Sequence, residues 1–403
     1  MIEQKTNIVI LGAGYAGMLA ALRLSAKAKS AQITLVNASD TFVERIRLHQ
    51  KNKPQLRPIP GLLKGKNVRF VHAWVKSIDL KAREVTVQTR SEIEQIHYDQ
   101  LVYALGSTVD RRSVAGVDDY CYTLTSNGKQ SASDLHQILP TAAEHGQRLV
   151  VVGGGLTAIE AASEFAEQYP QLHVSILTAG TLGAHLSAKG RSHLRRVFAR
   201  LGITIIEQIQ VSYVSKNALV TASNESIPFD VCVWAAGFTV PTLARDAGLT
   251  VNNRGQILID PYLRSISHPE IFAAGDSAAF VENPDAPIRM ACATAEPMAA
   301  QAADNLVALI NHQPQQPFGF QYIFQCISLG RQDGLIQWVK ADDRAREHIF
   351  RGRLAAFIKE IVCRYAWWGV QIQGRLPQIF TWPGKKSVNM KVEITAKQAG
   401  QTG

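Results

Sequence analysis

Two glycine-rich turns have the residue spacing that lets a backbone close on a diphosphate. The first is Gly12-Ala13-Gly14-Tyr15-Ala16-Gly17 and the second is Gly153-Gly154-Gly155-Leu156-Thr157-Ala158. In such a turn the first glycine permits a tight exit from a strand. The second lets the backbone approach the phosphates, and the third lets the next helix pack on the sheet. Ala158 takes the third place in the second turn, which this fingerprint allows. The helix that follows offers free N–H groups and partial positive charge to the anion. One such turn alone is weak evidence; two in the same context point to two bound dinucleotides.

That context comes from the flanking elements. Asn7-Ile8-Val9-Ile10-Leu11 and Leu149-Val150-Val151-Val152 are nearly continuous apolar runs, as strands buried on both faces of a parallel sheet must be. Helices follow, to about Lys29 and about Gln168, then strands Ile33 to Val36 and Val174 to Leu177. A second unit repeats as well. Tyr98 to Gly106 and Phe229 to Gly237 both read aromatic-Asp-x-x-Val-aromatic-Ala-x-Gly. Ala104, Gly106, Ala236 and Gly237 close these strands and join the turns as cofactor-binding candidates. The fold class is α/β, with two Rossmann-like dinucleotide-binding domains of like construction. Further on, Phe272-Ala273-Ala274-Gly275-Asp276 ends a short strand. An Ala-rich helix is expected from about Pro297 to Ile310, because proline suits a helical first turn.

These motifs together resemble the flavoproteins of the pyridine nucleotide–disulfide oxidoreductase group, over about Ile8 to Leu309. The resemblance implies that the first turn holds FAD and that the second, in an inserted domain, holds NADH or NADPH. It gives an FAD domain over 1–118 and 246–318, an NAD(P)H domain over 119–245, and a C-terminal α+β region over 319–403. Gly275 and Asp276 would meet the FAD ribityl or pyrophosphate; Asp276 could otherwise be a helix cap. Glu160 would lie beneath the nicotinamide and orient it during hydride transfer to the flavin, unless it is an ordinary surface carboxylate. The N-terminus of the helix near Pro297 would stabilise negative charge on the reduced flavin.

Within that group the disulfide reductases carry redox cysteines after the second strand, and none lies in Ala38 to His49. The Gly-Gly-Gly-x-Thr-Ala-x-Glu turn and the basic aromatic C-terminal region are similar to type II NADH dehydrogenases and apoptosis-inducing-factor-like quinone reductases. Those enzymes line the quinone site with Ala-Gln-x-x-Ala-x-Gln. Here the stretch is Ala295-Glu296-Pro297-Met298-Ala299-Ala300-Gln301. Glu296 therefore becomes both a catalytic and a flavin-side candidate, and a carboxylate there could change the acceptor. The reading is an NAD(P)H dehydrogenase passing electrons to a quinone or similar small acceptor. The alternatives are a reductase of an acidic electron-carrier protein and a non-catalytic NAD(P)H-sensing flavoprotein.

The acidic residue that usually ends the second strand is absent from both units, replaced by Asn37 and Thr178. Asn37 can still bond ribose hydroxyls. Without a carboxylate at Thr178, and with no arginine beside it, the choice between NADH and NADPH stays open. Arg45, Arg47 and His49 follow the second strand, where by resemblance the loop nears the flavin; they hold flavin or substrate, or form surface salt bridges. His72, His97, His136 and His185 are scattered and read as structural. No metal-ligand set stands out, and the five cysteines form no CxxC.

From Arg331 onward there are 13 Lys and Arg against 6 Asp and Glu, most of the net charge of +10. That asymmetry fits an anionic partner or plain solubility; nothing in the pattern points to nucleic acid. Leu354, Phe357, Ile358, Ile361, Tyr365 and Trp368 share one helical face, with Trp367 beside them and Arg351, Arg353, Lys359 and Arg364 as flanks. Such a face suits a membrane surface, the protein's own core, or a second subunit in a homodimer. No run is long enough to span a bilayer, and Met1 to Lys5 has no apolar signal segment. The expected location is the cytoplasm, with the inner membrane face as the surface to which the helix would bind.

Overall fold

The computed structural model describes residues 5–51, 57–126, 128–283 and 288–384. The polar, basic run read beyond Gly384 lies outside these, as do residues 1–4 of the N-terminal run. Strand Asn7–Leu11 pairs in parallel with Gln32–Asn37 on one side and Gln100–Tyr103 on the other. Ile271–Ala273 and Val68–His72 complete a five-stranded sheet. Ile8, Ile10, Leu101 and Phe272 are inaccessible to solvent, so these strands carry apolar residues on both faces.

A second parallel sheet, Tyr122–Thr123, Val231–Trp234, Arg148–Val152, His173–Leu177, Thr204–Ile206, repeats the order of four of these strands, but its edge strand Tyr122–Thr123 comes before them in the chain where Ile271–Ala273 comes after. The two repeated Asp-x-x-Val strands fill the same slot, each beside the strand that bears a glycine turn. Each half also contains a three-stranded antiparallel meander, beginning at Trp74–Asp79 and at Val211–Ser215. In sheets of this order a crevice opens at the carboxyl ends of the strands, where the strand order reverses. Both turns sit at that point.

Helix Tyr15–Lys27 stops two residues short of its expected end. Its Arg23 is buried, and every nitrogen of its guanidinium donates. It binds both oxygens of Asp304 at 2.8 and 2.7 Å, and also Gln373 Oε1 and the Pro377 carbonyl at 2.6 Å each. One side chain thus joins the first helix to helix Cys292–Ile310 and to the C-terminal segment.

The helix expected to begin near Pro297 begins at Cys292, with Pro297 inside it. Proline there forfeits one backbone bond. The first turn forms anyway: Ala291 accepts from the Thr294 and Ala295 N–H groups, and Ala295, Met298 and Ala299 are buried.

The C-terminal region is an antiparallel sheet, Phe324–Ser328, Gly334–Val339 and Ala345–Arg351, followed by helix Arg353–Ile372. The sheet and helix meet at Gly334, where a Cβ would lie 2.6 Å from the Ala356 nitrogen. On the helix, Ala355, Cys363, Ala366 and Val370 face inward. Leu354, Phe357, Ile361, Tyr365 and Trp368 are exposed, Phe357 by 61%. Ile358 is half-buried. Two expectations for this helix are corrected. Trp367 is buried, with its ring against Phe42 and under the Arg57 guanidinium. Lys359 is no outer flank: it points inward.

Candidate functional site

The first turn is shaped by two close approaches. Gly12 has φ +93°, and a Cβ there would lie 2.4 Å from the Ala104 carbonyl oxygen. A Cβ on Gly17 would lie 1.8 Å from the Gly12 oxygen. By contrast, a Cβ on Gly14 would meet nothing within 4 Å. The open space therefore lies at the helix N-terminus, where a diphosphate needs room. Ala13 and Ala16 keep the rest of the turn small and buried. The Asn37 side chain accepts from the Ala13 N–H at 2.9 Å and donates to the Ser39 carbonyl at 2.7 Å. Its amide braces the turn, where a contact to ribose was expected.

Around this turn the expected partners converge. Arg45 Nη1 donates to the Ser107 carbonyl at 2.7 Å and lies 4.0 Å from Asp276. The Ser107 hydroxyl donates to Asp276 at 2.6 Å. Gly106, with φ +67°, precedes Ser107. Gly275 sits between Ala16 and Ala295, so the start of helix Cys292–Ile310 borders the same cleft. Asp276 lies in its own short turn, Gly275–Ser277, and does not cap that helix. Arg47 is turned away from the cleft. It links Glu44 at 3.1 Å to Glu360 of the C-terminal helix at 2.8 Å.

The second turn repeats the geometry with different side chains. Gly153 has φ +139°, and a Cβ there would crowd the Ala235 oxygen at 2.9 Å. A Cβ on Gly154 would lie 2.4 Å from Thr178 Oγ1, while Gly155 is open. Leu156 and Thr157 start the helix behind it. Thr178 is buried beneath the turn and offers no charge to a ribose. Ala236 and Gly237 follow the neighbouring strand, and the Gly237 carbonyl accepts from the Asp110 N–H.

Glu160 is 7% exposed. Its Oε1 accepts the Ser328 N–H at 2.9 Å and the Lys359 ammonium at 3.0 Å. Burial opposes ionisation of this carboxyl. The Lys359 charge and the Ser328 N–H outweigh burial and hold it below the usual carboxylate range. Burial likewise opposes the charge on Lys359, and Glu160 reverses that. The pair is therefore ionic and buried. His49 lies beside it, and burial pushes its imidazole down to about 4.

Glu296 contrasts with Glu160. It is 4% exposed, its Oε1 has no hydrogen-bond partner, and burial raises its carboxyl well above the usual range. Gln301, the matching residue of the resemblance, binds Asn305 and the Gln316 carbonyl and so braces the chain beyond the helix.

The sequence places Lys359 on the outer flank of its helix and leaves the five cysteines unconnected. Lys359 was discoverable as a lysine in the inward stripe of an amphipathic helix. Cysteines far apart in sequence also meet. Cys121, just before strand Tyr122–Thr123, and Cys232, in the strand paired with it, touch at 3.2 Å, both buried, and desolvation keeps Cys232 protonated. Cys292, Cys326 and Cys363 gather around Lys359, and burial raises all three thiols, Cys363 to about 11. Thiols this high are poor nucleophiles.

Paired glycine cradles on twin parallel sheets, with space at each helix N-terminus, define an FAD- and NAD(P)H-dependent oxidoreductase. The chain belongs to the pyridine nucleotide-disulphide oxidoreductases, whose family model matches residues 6–305. It is similar to an NADH dehydrogenase-like protein of Mycobacterium tuberculosis, 26% identical over 348 residues, covering 81% of this chain and 86% of the relative. It is also similar to a demethylphylloquinone reductase of Synechocystis, 26% identical over 361 residues, covering 83% and 87%. A solved structure, the sulfide:quinone oxidoreductase of Aquifex aeolicus, shares the fold with a TM-score of 0.78 at 19% identity, covering 91% of this chain and 92% of that one.

Proposed function

We propose that this oxidoreductase passes the electrons of NADH or NADPH to a quinone-like small acceptor reached from a membrane surface. Bound FAD supplies a two-electron carrier between nicotinamide and acceptor. The chain's own residues hold and orient. Gly12, Gly14 and Gly17 receive one diphosphate, with Asn37 fixing the turn. Arg45 and Asp276 flank the same cleft. Gly153 to Thr157 receive the second nucleotide, and Thr178 admits either ribose because it carries no charge. Glu160, fixed by Lys359 and Ser328, orients the nicotinamide.

One observation carries the choice of acceptor. Helix Arg353–Ile372 places Lys359 on the buried Glu160 while its outer face exposes Leu354, Phe357, Ile361, Tyr365 and Trp368. Arg353 and Arg364 are exposed beside that face. No helix among the described residues is long and apolar enough to cross a membrane. An apolar stripe bordered by cations suits the surface of an anionic bilayer. An acceptor dissolved in lipid would then arrive beside the site. The names of the similar demethylphylloquinone and sulfide:quinone enzymes support a quinone.

The test is steady-state oxidation of NADH and NADPH with menadione, ferredoxin or oxygen, together with flotation on anionic vesicles. Fast turnover with menadione and flotation that is lost in Phe357→Ser/Ile361→Ser are expected. A requirement for ferredoxin would mark a reductase of an electron-carrier protein. Slow reduction with a long-lived charge-transfer band would mark a sensor. A dimer that buries the stripe and ignores vesicles would remove the membrane.

A further inference from the structure

Glu296 is buried without compensation. No salt bridge or hydrogen bond reaches it among the described residues, and its Oε1 is shielded from solvent and unpartnered. Its Oε2 lies against the C-terminal helix, where a Cβ on Gly369 would approach to 2.8 Å. That same Cβ would lie 3.0 Å from the Phe380 ring, so the glycine leaves room for both side chains. The titratable groups around it come from three elements. Tyr15 faces it from the first-turn helix, with a buried hydroxyl that also lacks a partner. Cys292 lies one turn back on its own helix, and Cys363 reaches Tyr15 from the C-terminal helix. Glu44 adds negative charge near Tyr15. Lys359, the nearest cation acting on Cys292, is committed to Glu160.

An ionised carboxylate in such surroundings would be expensive, so the group carries a proton in the folded protein. Its position matters as much as its protonation. It stands five residues into the helix whose start borders the first cleft, directly beneath Gly369. The next residue outward, Trp368, belongs to the exposed apolar stripe. The acid therefore lies between the helix whose start borders that cleft and the C-terminal helix that carries the exposed stripe.

We propose that Glu296 is the proton donor to the acceptor, and that the site serves a quinone-type carbonyl acceptor, which takes up protons with its electrons. This rests on the function proposed above and adds a residue and a step to it. The acid O–H bond breaks as an O–H bond forms on the reduced acceptor. NAD(P)H contributes two electrons and one proton as hydride, Glu296 contributes the second proton, and solvent returns it to the carboxylate. The anion left behind is stranded, apart from the Tyr15 hydroxyl, so re-protonation is strongly favoured. A one-electron iron–sulfur acceptor would need none of this.

The experiment compares wild type with Glu296→Gln, which keeps the shape and removes the proton. Reduction by NADH is followed apart from re-oxidation by menadione or by ferricyanide, which takes electrons without protons. The variant should re-oxidise with menadione about a hundred-fold more slowly, with its pH dependence and solvent isotope effect lost. Its ferricyanide rate should fall far less than its menadione rate. Infrared spectra of the wild type near neutral pH should show a carboxylic-acid carbonyl band that is absent from the variant. An unchanged menadione rate and pH profile, or the absence of that band in the wild type, would overturn the assignment. A wild type that is reduced by NADH and ignores quinones would overturn the proposed acceptor instead, and the infrared band would still report on Glu296.

Discussion

Glu160 and Glu296 occupy the same place in two helices. Each is the fifth residue, counted from Leu156 in one and from Cys292 in the other, and each is almost fully buried. One is an anion held by Lys359 and the Ser328 N–H; the other is an acid with an orphaned oxygen. Residue type and place in the helix are the same, so the difference comes chiefly from what the third region of the chain brings to each. The C-terminal helix delivers a lysine to the first and a glycine to the second. Carboxyls driven apart in this way are how one site holds both a fixed charge and a movable proton.

Removing the lysine should erase the contrast. Lys359→Met leaves Glu160 as an unpaired buried charge and should cost about 3–5 kcal/mol in urea unfolding. Adding Glu160→Gln should recover much of that loss, because the double variant has no charge to strand. Additive losses would show that the two side chains are not coupled.

Acid should weaken the ionic side of the comparison first. His49 is neutral in the fold down to about 4, whereas an unfolded chain takes up its proton near 6.5. The unfolded state then binds more protons between these values, so stability falls as pH drops from about 6.5 to 4. The loss should reach about 3 kcal/mol, and His49→Leu should flatten that part of the profile. Glu160 is depressed as well, so its contribution persists above the ordinary carboxylate range and disappears only at lower pH. A melting profile in which His49→Leu follows wild type would contradict the buried, neutral imidazole.

The smallest effect has the opposite sign. Glu296→Met replaces an unsatisfied acid with an apolar chain of similar length and should stabilise the fold by about 1 kcal/mol. The same change at Glu160 should destabilise it. Equal signs at the two positions would break the comparison.

Much of the fold was legible because its signals are local. The positive φ of Gly12 and Gly153 and the crowding behind Gly17 are met within a few residues of each turn. The strand that closes each unit carries its own repeat. Pro297 misled because its preference for a first turn was outweighed by the burial of the alanines around it. Trp367 and Trp368 are adjacent and aromatic alike, and only packing against Phe42 and Arg57 separates the buried ring from the exposed one.

The sequence by itself determined two dinucleotide cradles, their order, the family, and the amphipathic helix near the end. Tertiary structure alone decided which glutamate is charged, that Asn37 serves its own turn, and that five scattered cysteines include a touching pair and a cluster of three. The reason is range. A glycine turn carries its signature in its own few consecutive residues, whereas the charge state of Glu160 depends on a lysine 199 positions later, brought to 3.0 Å by folding.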